Sequence, residues 1–316
     1  MGGSSRRLRA NLLLLACAAI WGFAFVAQVV GGHVGAFTFN ATRFAMGAAS
    51  LLPIVAWLDR RGGVTPAQGR RRWRAALAPG LVCGAFLFCG SSLQQVGLES
   101  TTAGNAAFVT GLYVVLVPLA GLLLFRHRTT RNTWVGVALA VVGLWLLTVG
   151  SDLAVNPGDA LNLGGTVFWT AHIIAIGHFA RRLDVLRLSV AQFAATAAYA
   201  AVTAFVVEER PFAGVPDAVG PLLYAGIVSV GVAYTLQVIG QKDALPSHAS
   251  MIMSLEAVFG AVGGALLLGE VMSGRGYAGA ALMMAGILVA QLPAGPEPDA
   301  VLVPVPEPPS TALQKD

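Results

Sequence analysis

About ten apolar stretches, each near 20 residues long, follow one another along the 316-residue chain, with the charged residues gathered in the gaps between them. An α-helix rises 1.5 Å per residue, so about 20 residues cross a hydrocarbon core of about 30 Å. The pattern predicts an all-α membrane protein with ten transmembrane helices. They fall over residues 11–30, 36–57, 75–95, 102–125, 133–149, 162–179, 188–207, 220–239, 248–268 and 276–292. Only 11% of residues are charged, against about a quarter in a soluble domain. The 38 glycines suit helices that must approach closely with no hydrophobic drive between them. A pI near 9.5 does not imply nucleic acid, because the basic residues sit in short loops and form no continuous stripe. Cys17, Cys83 and Cys89 lie within apolar stretches, which favours neither a disulfide framework nor a zinc site. Arg6, Arg7 and Arg9 before Leu12 look like the opening of a signal peptide, but the apolar run continues to Val30, too long for a cleaved segment.

The gaps carry a second signal. With the N-terminus in the cytoplasm, 17 of the 20 basic residues fall inside, while Arg210 and Arg275 fall outside and Arg43 lies within a span. Exterior loops then hold Glu99, Asp152, Asp159, Glu208, Glu209, Asp217 and Glu270. The positive-inside rule thus predicts both termini in the cytoplasm of a cell with a plasma (inner) membrane. Residues 58–74 read as a basic loop. Residues 150–161 read as a polar connector, and 293–316 as a Pro-rich, disordered cytoplasmic tail.

The chain also repeats itself. At a shift of 143, residues 93–148 lie over 236–291 with thirteen identities, among them Gln94/Gln237, Gly136/Gly279 and Gly143/Gly286. At slightly larger shifts Trp21 meets Trp169 and Arg43 meets Gln192. Residues 1–149 and 162–292 are then two five-helix repeats. Five is odd, so the halves enter the membrane with opposite polarity, the signature of secondary transporters with a site near the midplane.

Charges within spans are costly unless paired or hydrated, which makes them functional candidates. Arg43 and Glu256 both fall near the midplane. Glu256 reads as a coupling or substrate-binding carboxylate with Arg43 or Gln94 as a partner, as a structural pair with Arg43 or a polar side chain, or as a solvated cavity wall. Arg43 reads as a helix-fixing residue or as a holder of a substrate carboxylate. Gln94, Gln237 and Tyr234 are polar groups that lipid cannot satisfy, so they face protein or water. Asn105 and His248 match across the repeat. Trp21, Trp169 and His172 fit an aromatic cavity wall or plain packing. No Walker A, His-Glu-x-x-His or Gly-x-Ser-x-Gly motif is present, which argues against ATP drive and against an enzyme; no cofactor or metal is expected.

Trp21-Gly22-x-x-Phe25, the run Leu93 to Ala106, Gly111 to Pro118, and Ser254-Leu255-Glu256 through Leu268-Gly269-Glu270 resemble the EamA-type drug/metabolite transporter superfamily. The resemblance covers residues 11–292. It implies ten helices with both termini cytoplasmic, and a central cavity lined by helices one, three, four, six, eight and nine. Helices five and ten lie further out. It also implies outward transport of amino acids, amines, nucleotides or drugs. Arg126-His127 departs from the Gly-Glu of many members at this place in the first repeat. The expected function is a secondary transporter, an exporter of small metabolites such as amino acids or amphipathic compounds, working by alternating access with protons as a coupling partner. The alternative is an uncoupled facilitator or flippase-like protein. Its partners are a small-molecule substrate and the bilayer, with no nucleic acid, as a monomer or homodimer.

Overall fold

A computed structural model describes residues 2–101, 103–125, 130–148, 157–267, 269 and 273–292. Arg126, His127, Arg128, Asp152, Glu270 and the tail 293–316 lie outside the described residues, as does the Asn105 side chain.

Among the described residues every regular element is helical. In order they are α1 (Gly2–Val30), α2 (Ala36–Arg61), α3 (Pro66–Gly97), α4 (Ala103–Gly111), α5 (Tyr113–Phe125), α6 (Arg131–Thr148), α7 (Pro157–Phe179), α8 (Val185–Val207), α9 (Val219–Leu223), a π-helical stretch Tyr224–Tyr234, α10 (Thr235–Asp243), α11 (Pro246–Met253), α12 (Glu256–Leu267) and α13 (Gly274–Gln291). Joined end to end where the chain continues, they occupy the ten expected spans. Seven are helices at once long and apolar enough to cross a membrane.

Two expected loops are helical instead. The basic stretch 58–74 is only a short link between α2 and α3, because Thr65 and Gln68 form a reciprocal capping box and Pro66 takes the first turn. Arginine and alanine are good helix formers, so both helices continue past the apolar stretch. The described end of the connector, 157–161, is the first turn of α7, again opened by a proline.

Spans four and nine are interrupted, and at the same place. α4 stops at Gly111 and α5 restarts at Tyr113; α11 stops at Met253 and α12 restarts at Glu256. Tyr113 and Glu256 are 143 residues apart, the repeat interval. At both breaks the chain tightens: Leu112 N–H donates to the Val109 carbonyl and Leu255 N–H to the Ile252 carbonyl, each three residues back. Each crossing is thus made of two half-helices.

The two halves interleave. α1 packs on α12, α10 and the π-helical stretch of the second half, while α7 packs on α3, α4 and α5 of the first. Close contacts recur in two-fold pairs. A Cβ on Gly136 would lie 2.5 Å from the Gly286 carbonyl oxygen, and one on Gly143 would lie 2.5 Å from the Gly279 oxygen. Shifting Gly136–Gly286 by the repeat gives Gly279–Gly143. Spans two and seven follow the same rule at a shift of 149, the interval that relates Arg43 to Gln192. Arg187 Nη2 donates to both Asp59 oxygens at 2.6 and 2.5 Å, and Nη1 to Asp184 Oδ2 at 2.8 Å. At the other end of the pair, Glu208 accepts from the Phe37 and Thr38 N–H groups at 2.8 and 3.1 Å, capping α2 from across the fold. Asp59 corresponds to Glu208 and Arg187 to Thr38, so the latch on one end is the counterpart of the latch on the other.

The α1–α12 contact depends on a missing side chain. A Cβ on Gly22 would overlap Phe259 Cβ and lie 2.6 Å from the Gly260 nitrogen. Gly22→Leu is expected to force these helices apart and cost about 1–3 kcal/mol or more. It should lower the yield of monodisperse protein in detergent, while Leu266→Ala, at a side chain 72% exposed on α12, leaves yield unchanged. Equal yields from both, measured by fluorescence-detected size exclusion, would contradict this packing.

Candidate functional site

Where the half-helices meet the interleaved spans, a cavity remains. Its wall includes Trp21, Phe25 and Gln28 of α1, Arg43 of α2, Gln94 of α3, Thr110 and Tyr113 of span four, and Trp169 and Ile173 of α7. Ser229, Tyr234 and Gln237 of span eight and Met253 and Glu256 of span nine complete it. Spans five and ten contribute nothing to this wall. The space between the atoms of this wall is about 500 Å³.

Seven of the nine residues singled out from sequence line this cavity: Trp21, Arg43, Gln94, Trp169, Tyr234, Gln237 and Glu256. His172 stands one layer behind. Its ring meets Trp169 and Tyr234 edge-on and its Nε2 lies 2.9 Å from Gln192 Oε1.

The two buried charges do not pair with each other. Arg43 Nε donates to Asn40 Oδ1 at 2.9 Å, and the guanidinium carbon lies 5.0 Å from the Phe44 ring centre and 5.6 Å from that of Phe39. Asn40 in turn donates to Ser92 at 3.4 Å. One edge of the fork is held, and its terminal amino groups have no hydrogen-bond partner among the described residues. Glu256 accepts from the Tyr113 hydroxyl through Oε1 at 3.1 Å, and its Oε2 has no partner among the described residues. Glu256 is also the first residue of α12, where the positive end of a helix favours a carboxylate. The sequence reading looked to Arg43 or Gln94 as the partner of Glu256. The structure supplies Tyr113 instead, and the repeat shift pointed to it, because Tyr113 is the residue that lies over Glu256.

Gln94 and Gln237 show how the halves diverge. Gln94 Nε2 donates to Thr110 Oγ1 at 3.1 Å. The counterpart of Thr110 is Met253, which offers Gln237 no such partner, and Gln237 Oε1 is left buried without a hydrogen bond. The indole nitrogens of Trp21 and Trp169 are likewise unpartnered. Tyr234 is the centre of an aromatic cluster, with ring centres 4.5 Å from Trp21, 6.4 Å from Trp169 in a near-parallel stack, 6.1 Å from Phe44 and 6.0 Å from Phe193. Tyr234 ends the π-helical stretch, a wider coil often found at functional sites. The sequence reading also passed over Gln28, Thr110 and Ser229, single polar residues that no pattern distinguished from packing.

A cavity near the middle of a duplicated, interleaved helix bundle defines a multi-pass membrane transporter. Comparison with known proteins gives the family. The profile of the EamA-like transporter family matches twice, over residues 8–149 and 156–291, and the chain belongs to that family. An uncharacterized transporter of Archaeoglobus fulgidus is 30% identical over 292 residues, covering 91% of this chain and 87% of the relative. The threonine/homoserine exporter RhtA of Escherichia coli is 26% identical over 287 residues, covering 86% of this chain and 89% of that one. A solved crystal structure with 22% identity superposes with a TM-score of 0.72, over 90% of this chain and 97% of the other, which supports the fold.

In a chain with Cys17, Cys83 and Cys89 replaced, a cysteine at Gln237, on the cavity wall, is expected to react with a small charged thiol reagent, and a cysteine at Ala140, buried away from that wall, is not. A Gln237 cysteine that reacts no faster than the unreactive Ala140 cysteine would mean that the cavity is closed to water.

Proposed function

We propose that the protein is a proton-coupled exporter of small neutral amino acids, working by alternating access with both termini in the cytoplasm. The observation that carries this reading is the pair of unpaired charges on one cavity wall: Arg43 with free amino groups and Glu256 with a free carboxylate oxygen. A guanidinium suits the planar carboxylate of an amino acid. Glu256 suits either its ammonium group or a proton, and these compete for one site. Competition of this kind links the two flows: substrate displaces the proton on one side and the proton displaces substrate on the other. The aromatic faces of Trp21, Tyr234 and Trp169 suit a short apolar side chain, and the unpartnered Gln237 amide suits a hydroxyl. The relative that exports threonine and homoserine supports this substrate class and the outward direction.

Glu256→Gln keeps the shape and the contact with Tyr113 but removes the titrating group. In proteoliposomes it is expected to abolish amino-acid accumulation driven by a pH gradient and to leave substrate exchange in place. Full accumulation by the mutant would overturn the coupling role. Loss of exchange as well, from folded protein, would assign Glu256 to binding alone. Arg43→Gln removes a charge-assisted contact of about 1.5–3 kcal/mol. It should raise KM for the amino acid about tenfold to hundredfold, and an unchanged KM would remove Arg43 from the substrate.

A further inference from the structure

Two contacts between the halves have a two-fold counterpart elsewhere. Gly136–Gly286 has Gly143–Gly279, and Asp59–Arg187 has Glu208–Thr38. The Tyr113–Glu256 hydrogen bond is different. Its members are 143 residues apart, so exchanging the halves carries Tyr113 onto Glu256 and Glu256 onto Tyr113. The contact is its own counterpart and lies on the pseudo-two-fold axis. Both residues also open the second half-helix of their span, directly after the break.

In an inverted-repeat carrier the halves rock around a central site, and the state open to one face has the two halves in each other's shapes. A contact off the axis then changes places with its counterpart, so it can be closed on one face and open on the other. A contact on the axis has no counterpart to change with. We infer that the Tyr113–Glu256 hydrogen bond is made in both the inward-facing and the outward-facing state, and that Tyr113 is the positioning residue that holds the Glu256 carboxylate in place while access to it alternates. The chemistry of the pair fits. Two carboxylates at this point would repel, and two tyrosines would supply no group that ionises near neutral pH. One acid with one neutral donor gives a single charge site with a fixed neighbour.

The functional half of this inference rests on Glu256 as the coupling group; the geometric half does not. Tyr113→Phe keeps the ring and removes the donor. In proteoliposomes, the pH dependence of amino-acid transport is measured with the pH varied on one face at a time. The expected result is that Tyr113→Phe displaces both midpoints in the same direction by the same amount, and that it has no further effect in a Glu256→Gln background. Displacement from one face only, or from neither, would overturn the inference. Should Glu256→Gln itself prove fully coupled, the coupling reading fails and the geometry is still tested. Cysteines replacing Tyr113 and Glu256, in a chain without its three native cysteines, should then join through a short thiol cross-linker equally well under inward and outward substrate gradients. Cross-linking under one gradient alone would show that the contact belongs to one state.

Discussion

A backbone N–H or C=O left without a partner in hydrocarbon costs several kcal/mol. Two spans of this protein interrupt their helices in mid-crossing, at Leu112 and at Ser254–Leu255, where tightened turns keep the N–H groups of these residues bonded. Such breaks are tolerated only where protein or water surrounds them, and the interleaving of the halves provides that surround: α1 covers the second break and α7 the first. The interleaving in turn requires backbones to come close, which the glycines at 22, 136, 143, 279 and 286 allow. The cavity is therefore a consequence of the fold. It is the space left where two broken helices cross and the covering spans cannot fill the gap.

Much of this was legible in the sequence, because apolar length and charge segregation are imposed by the bilayer itself. Boundaries suffered where a different cause took over. The helices continue past their apolar stretches to Arg61 and from Pro66, and capping chemistry decided that end. The breaks in spans four and nine were invisible to hydropathy, since Leu112 and Leu255 are as apolar as their neighbours. The midplane placement of Arg43 and Glu256 was readable because charge in hydrocarbon is rare. Their partners were not, because a salt bridge is only one way to satisfy a buried charge. Asn40 with two phenylalanine rings serves Arg43, and a tyrosine hydroxyl serves Glu256.

Duplication gives the scaffold, and divergence gives the chemistry. Where the halves remain alike, as at the paired glycines, the residues hold helices together. Where they differ, at Thr110 against Met253 and Tyr113 against Glu256, polar atoms are left facing the cavity with capacity to spare. A symmetric site would bind a symmetric ligand, whereas an amino acid has two unlike ends. Under the proposed function, Arg43 and Glu256 face these unlike ends from spans two and nine without neutralising each other.

Glu256 is the only carboxylate on the cavity wall among the described residues. The central claim is that this one group binds either a proton or the substrate. Exchange of one proton for one zwitterionic amino acid moves one net charge per cycle. The most direct test is the membrane potential at which net amino-acid flux reverses in proteoliposomes, measured at a series of fixed pH and substrate gradients. The account predicts a stoichiometry of one proton per amino acid across the series. A reversal point that ignores both potential and pH gradient would contradict it and identify an uncoupled facilitator.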